Sequence, residues 1–340
     1  MPQTRETLKG GFPAFETPRP LDRIQWDTNR IKLRCTIHHL LGELPPLFVP
    51  KATVLDRETR LGYVLERFSF DNGADDIVFG CALIPTDATQ PRPAILYHHW
   101  HAEQYELGTR ELLERVHPDL GFATGEELVH QGYVVQGIDA YGFGQRRFQG
   151  PAGEREVGAS VEAALFKTFL WEGRTLWGMM VRDDMLALNL LASRPQVDPH
   201  RIAAMGVSMG STRTWWLAAL DDRVKVAVCV ACLTRYQNLI ARGSVNAHGI
   251  YYYVPNLLKE SIDAESIVGL IAPRPLLTLT GELDEGSPAD GVRIIHAFQE
   301  HLYQCYGRPE CFQGLLYPNV GHAYTPTMWD QTLRWLNMHL

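Results

Sequence analysis

The chain has 340 residues, 45% of them hydrophobic, and a formal net charge of −7. That length buries a full core and fits one large α/β domain, while the acidic balance and the lack of any Lys/Arg block leave out the electrostatic footprint of a nucleic-acid binder. No apolar run approaches the roughly 20 residues that a bilayer span needs, so no membrane partner is expected.

Met1 to Pro20 is polar and proline-rich and lacks the basic start, apolar stretch and small-residue cleavage site of a secretory signal, which points to a cytoplasmic protein. The six cysteines are scattered and several sit in apolar runs, so reduced, buried thiols are expected. Cys229 and Cys232 have zinc-ligand spacing, but they lie inside the apolar run Val226 to Leu233 with no second Cys or His pair nearby, and no metal is expected there.

A helical pattern from Trp26 to Leu41 ends at the breaker Gly42-Glu-Leu-Pro-Pro46. Residues 1–50 read as a helical arm packed on a catalytic domain of residues 51–340. Thr53 to Asp56, Gly62 to Phe70 and Asp76 to Ile84 are strand-like and separated by turn residues, which suits an antiparallel opening to a sheet. Short apolar runs then alternate with helical segments: the runs are Ala94 to Tyr97, Tyr133 to Ile138, Arg201 to Met205, Val224 to Cys229, Pro275 to Thr280 and Gln313 to Tyr317. The helices expected between and after them are Thr175 to Ser193, Met209 to Leu220, Ala289 to Tyr306 and Thr327 to Leu340. Alternation of this kind implies parallel crossovers and a doubly wound, mostly parallel α/β sheet. Two connections, residues 141–174 and 233–273, are too long for simple crossovers and are the lid and pocket candidates.

Gly206-Val-Ser-Met-Gly210 follows an apolar strand and precedes a helix, the setting of a nucleophile elbow. The bare pattern is common by chance; its context makes Ser208 the candidate nucleophile and the Met209 amide a candidate oxyanion donor. A serine hydroxyl needs a base, and in an elbow of this kind the histidine comes later in the chain, in the order Ser, Asp or Glu, His. His322, after an apolar run and before the last helix, supplies it. Asp284, in the loop past the run that ends at Thr280, is the expected acid, with Glu282 as its rival; Asp139 precedes the serine and reads as structural.

The second oxyanion amide should come from the loop after the strand that runs to Tyr97, here His98-His-Trp-His-Ala102, with the donor open between Trp100 and His101. His98 and His99 are read as pocket-lining residues. His99 and His101 share a face of an extended segment, but without a further ligand nearby they do not make a metal site. Among Tyr251, Tyr252 and Tyr253, Tyr252 is the candidate pocket wall, with core packing as the alternative. Arg174 reads as a scaffold residue.

With Ser208, Asp284 and His322 in place, the chain resembles the α/β-hydrolase superfamily, in particular its acetyl xylan esterase-like and dienelactone hydrolase-like members, from about Thr53 to Leu340. The likeness extends to Ser193-Arg-Pro-Gln-Val-Asp-Pro-His-Arg-Ile202, Ala219-Leu-Asp-Asp-Arg-Val224 and Ala272-Pro-Arg-Pro-Leu276. It implies an ester-hydrolysing triad in the roles given above, with His99-Trp100 departing from the usual His-Gly after the third strand. Dienelactone hydrolases use Cys where this chain has Ser208, which disfavours a lactone. The expected activity is serine-dependent hydrolysis of a small acyl or acetyl ester, of a carbohydrate among others, through an acyl-enzyme and without a cofactor. A serine peptidase or amidase and a non-catalytic binding protein are the alternatives. The expected partner is a small-molecule ester; homo-oligomerisation stays open.

Overall fold

A computed structural model describes residues 22–74, 76–87 and 89–340; the reading of Met1 to Pro20 falls outside them. The first element is α1 (Arg23–Leu41), opened by Asp22, whose side chain accepts from the Gln25 amide at 2.8 Å. Next come β1 (Thr53–Arg60), β2 (Tyr63–Asp71), β3 (Ile77–Pro85), β4 (Arg92–His98), α2 (Thr124–His130), β5 (Val134–Ile138), α3 (Ala159–Trp171) and α4 (Leu176–Ala192). The second half holds β6 (Val197–Val207), α5 (Met209–Leu220), β7 (Val226–Val230), α6 (Tyr236–Arg242), α7 (Ala264–Gly269), β8 (Leu276–Gly281), α8 (Ala289–Cys305), β9 (Phe312–Tyr317) and α9 (Pro326–His339).

One nine-stranded sheet runs in the order β1-β2-β3-β5-β4-β6-β7-β8-β9. The pairs β1 with β2, β2 with β3 and β3 with β5 are antiparallel, and every pair from β5 through β9 is parallel. The expected antiparallel opening and doubly wound sheet are both present. The strands at the centre are apolar on both faces because helices cover both sides. Along β4, Ala94 and Leu96 join the core under α4, α5, α7 and α8, while Ile95 and Tyr97 join the core under α2 and α9. The α1 helix lays Trp26, Ile37 and Leu41 on the first of these cores. Thr175 opens α4 by accepting from the Gly178 amide at 2.9 Å, and Thr325 opens α9 with Pro326 behind it.

The two long connections contain helices that the residue pattern left unassigned: α3 in the first, α6 and α7 in the second. The first is anchored by Arg146, which is fully buried, lies 3.8 Å from the Tyr141 ring centroid, and bonds to Asp76 at 2.7 Å and to the Asp139 carbonyl at 3.1 Å. The second is tied by Asp263, which caps α7 and accepts from the Tyr236 amide at 2.8 Å. Cys35 is exposed and Cys305 half-buried, so the expectation of buried thiols fails at these two, which ride on the solvent-facing sides of α1 and α8. No helix of the described residues is long and apolar enough to cross a membrane.

Candidate active site

Ser208 stands between β6 and α5 with φ 58° and ψ −119°, a backbone conformation that a side chain adopts only under constraint. The constraint comes from crowding at the elbow. A Cβ at Gly206 would lie 2.5 Å from the His98 carbonyl oxygen, and one at Gly210 would lie 1.9 Å from it, so the end of β4 presses directly on the turn. The Ser208 amide is fixed by the Val230 carbonyl at 2.9 Å.

His322, in the loop between β9 and α9, donates from Nδ1 to Asp284 Oδ2 at 2.8 Å and accepts the Ser208 hydroxyl at Nε2, also at 2.8 Å. Those two bonds select the tautomer with the proton on Nδ1. Burial alone would raise the Asp284 carboxyl, but the hydrogen bond and charge of His322, with the Gly286 amide at 2.9 Å, hold it below the ordinary carboxylate range. Burial alone would likewise lower His322, and the hydrogen bond and charge of Asp284 outweigh it, so the imidazole lies above its ordinary value. The rival acid Glu282 faces outward and pairs with Arg293. Asp139 is buried and accepts the Thr109 and Gln145 amides at 2.7 and 2.9 Å, the structural role expected of it.

Met209 is the first residue of α5, so its amide has no intrahelical acceptor. Across from it, the Trp100 amide donates to Glu111 Oε2 at 2.6 Å, so Trp100 is removed as an oxyanion donor and His101 is left. The His101 ring accepts the Glu103 amide at Nδ1 (3.0 Å) and therefore donates from Nε2 to Glu162 Oε1 (2.8 Å). It stacks on Tyr251 with ring centroids 5.3 Å apart.

Ser208, His322 and Asp284 open into a cavity of about 740 Å³ whose walls include His101, Tyr105, Glu162, Cys232, His248 and Tyr251. Four of the lining residues are carboxylates, Glu103, Glu162, Asp284 and Glu285, and none is Lys or Arg. Burial pushes the Cys232 thiol up, and its Sγ lies 3.7 Å from Nδ1 of His248, whose Nε2 donates to the Gly286 carbonyl.

Four of the expected pocket and oxyanion residues lie elsewhere. His98 is fully buried, with Nδ1 2.9 Å from the Thr214 hydroxyl and its pKa pushed down to about 4 by burial. His99 is also buried; it accepts the Ala140 amide and donates to the Trp100 carbonyl, bracing β4 against the end of β5. Trp100 is half-buried against His117, centroids 4.6 Å apart. Tyr252 packs beside Tyr236 and His248, away from the catalytic cavity, and the neighbouring Tyr251 takes the wall position. Arg174 bridges to Gly42 through the backbone, and its guanidinium lies 3.8 Å from Glu172. Glu162 and Tyr105 had no motif to mark them; the one signal for Glu162 is a carboxylate inside the apolar stripe of Val161 and Leu165.

The family model for acetyl xylan esterase (AXE1) matches residues 67–262. The protein named "Putative hydrolase YtaP" of Bacillus subtilis (strain 168) is 34% identical over 314 residues, 92% of this chain and all of the relative. The fold is similar to that of a putative acetyl xylan esterase, BF1801, from Bacteroides fragilis NCTC 9343, with TM-score 0.69, 21% identity, and coverage of 92% of this chain and 80% of that one. It is also similar to a glucuronoyl esterase from Solibacter usitatus, with TM-score 0.65, 16% identity, and coverage of 96% and 98%. With this sheet, this elbow and these matches, the chain belongs to the acetyl xylan esterase (AXE1) family and is a carboxylic ester hydrolase of the α/β-hydrolase fold.

Proposed function

We propose that the chain removes an acetyl or similarly small acyl group from a carbohydrate ester, with Ser208 as nucleophile, His322 as general base and Asp284 as the residue that orients it. The observation that carries the reading is the unbroken chain of 2.8 Å hydrogen bonds from Asp284 through His322 to Ser208, at the edge of the 740 Å³ cavity. Ser208 Oγ attacks the ester carbonyl while His322 Nε2 takes its proton; the oxyanion is met by the amides of Met209 and His101. His322 then protonates the leaving alcohol, and water, deprotonated by the same imidazole, releases the acid from the serine. A sugar alcohol is supported by the names of the similar proteins and by a cavity whose walls are polar and aromatic.

The test is a set of para-nitrophenyl esters of increasing acyl length beside an acetylated sugar and a peptide anilide, with a fluorophosphonate probe for the nucleophile. Cleavage of the acetyl esters and labelling that disappears in Ser208→Ala support the reading. Preference for the anilide, or labelling at another serine, refutes it.

A further inference from the structure

The loop that carries Asp284 is held from outside its own strand. Asp284 Oδ1 accepts the Gly286 amide at 2.9 Å, while Oδ2 serves His322. The carbonyl of the same glycine accepts two side chains of the second long connection, the Thr234 hydroxyl and His248 Nε2, each at 2.6 Å. A carbonyl oxygen has two lone pairs, and here both are taken, which fixes the direction of the group as well as its distance. Residue 286 is wedged between the acid and the ring: a Cβ on it would lie 3.3 Å from Asp284 Oδ1 and 3.4 Å from His248 Nε2.

His248 is itself set in place. A carbonyl can only accept, so the ring proton is on Nε2, and Nδ1 is left as an acceptor 3.7 Å from the Cys232 thiol. The thiol is brought there by Ala231 and Cys232, which leave the end of β7 in left-handed backbone with φ 55° and 47°. Residues other than glycine keep that conformation only where their surroundings impose it. Tyr252 packs on the ring with centroids 4.9 Å apart. Burial lowers the pKa of His248 against the opposing pull of the Gly286 carbonyl and the Asp284 charge, so the ring is neutral at neutral pH and keeps this tautomer.

We infer that His248, together with Thr234, is a positioning residue for the triad: it holds Gly286, and through the Gly286 amide the Asp284 carboxylate, in the direction that orients His322. This rests on the triad roles given above and adds to them the element that keeps their geometry. The second connection supports the acid as well as walling the cavity.

The experiment measures kcat and KM for para-nitrophenyl acetate, and the low-field proton resonance of the His322 Nδ1–H, in the wild-type chain, His248→Asn, His248→Gln, Thr234→Val and Ser208→Ala. A glutamine amide carries an N–H to the place of Nε2, and an asparagine amide does not. His248→Asn is expected to lower kcat by about 10- to 100-fold, the scale of a misplaced catalytic group, with KM within about twofold of the wild type and the resonance shifted upfield. His248→Gln is expected to restore most of kcat and to return the resonance. Thr234→Val is expected to shift the resonance the same way with a smaller loss of kcat, and it decides the matter if His248→Asn fails to fold. An unshifted resonance, equal losses in the Asn and Gln variants, or a rise in KM with kcat unchanged overturns the positioning role, the last by making His248 a wall contact only. A Ser208→Ala chain that keeps its activity overturns the triad reading instead.

Discussion

The backbone amide of Trp100 donates to the carboxylate of Glu111, which is fully buried and also accepts the Tyr97 hydroxyl at 2.6 Å. Trp100 is thereby held to the scaffold, with its ring beside His117 rather than in the catalytic cavity. Trp100→Gly is expected to leave the acyl-length profile across acetyl, butyryl and hexanoyl esters unchanged and to cost about 2 kcal/mol of stability, the share of a half-buried ring. Urea unfolding beside the ester series checks both; a shift of the optimum to longer chains would place Trp100 on the pocket wall.

Triad members act as a unit, so Ser208→Ala is expected to lower ester hydrolysis by about 10⁴-fold or more. Asp284→Asn should cost far more than Glu282→Gln, because Asp284 bonds His322 and Glu282 bonds Arg293. Rate measurements on the three purified variants decide it. Damage in the reverse order would move the acid to Glu282.

The pH dependence follows from His322. It must be neutral to take the serine proton, and its pKa lies above the ordinary 6.5 because Asp284 outweighs burial. Activity is therefore lost as pH falls through a value above 6.5. In Asp284→Asn, burial remains and the raising interactions are gone, so the residual activity should fall off below 6.5. A kcat/KM profile against pH for both chains is the check, and an unmoved acid limb contradicts the coupling.

The carboxylates of the cavity should discriminate by charge. An ester bearing a free carboxylate is expected to show a kcat/KM about tenfold below that of its neutral amide analogue at low salt, and the gap should narrow as salt screens it. Replacing the exposed Glu103 and Glu285 by Gln should narrow it further. Equal rates on the two esters at low ionic strength would show that the wall charges do not reach the substrate.

The parts of the site that could be read from the residues are those where local backbone chemistry leaves a mark. Ser208 has its glycines and a strand before it, and Asp284 and His322 each follow an apolar run at a strand end. The pocket wall left no such mark. Tyr251 and Tyr252 share one turn of 3₁₀-helix, Ile250–Tyr252, where one residue turns the side chain by a third of a circle, so three adjacent tyrosines give no phase. His98 and His99 look polar in sequence, yet their ring nitrogens are bonded within the core, and only the tertiary partners Thr214 and Ala140 reveal it. Glu162 rides on α3, a helix inside a connection that carries no strand before or after it to set its direction. The sheet itself was legible because alternating short apolar runs and amphipathic helices permit few other architectures.

The contact of Gly206 and Gly210 with the His98 carbonyl has a consequence for redesign. The gap between the nucleophile and the loop that offers His101 is set by the thickness of two main chains. Grafting a different lid or recolouring every side chain around the substrate should leave that gap as it is. Conversely, Gly210→Ala has no compensating partner to find, since the obstacle is a carbonyl group that every residue at position 98 would carry.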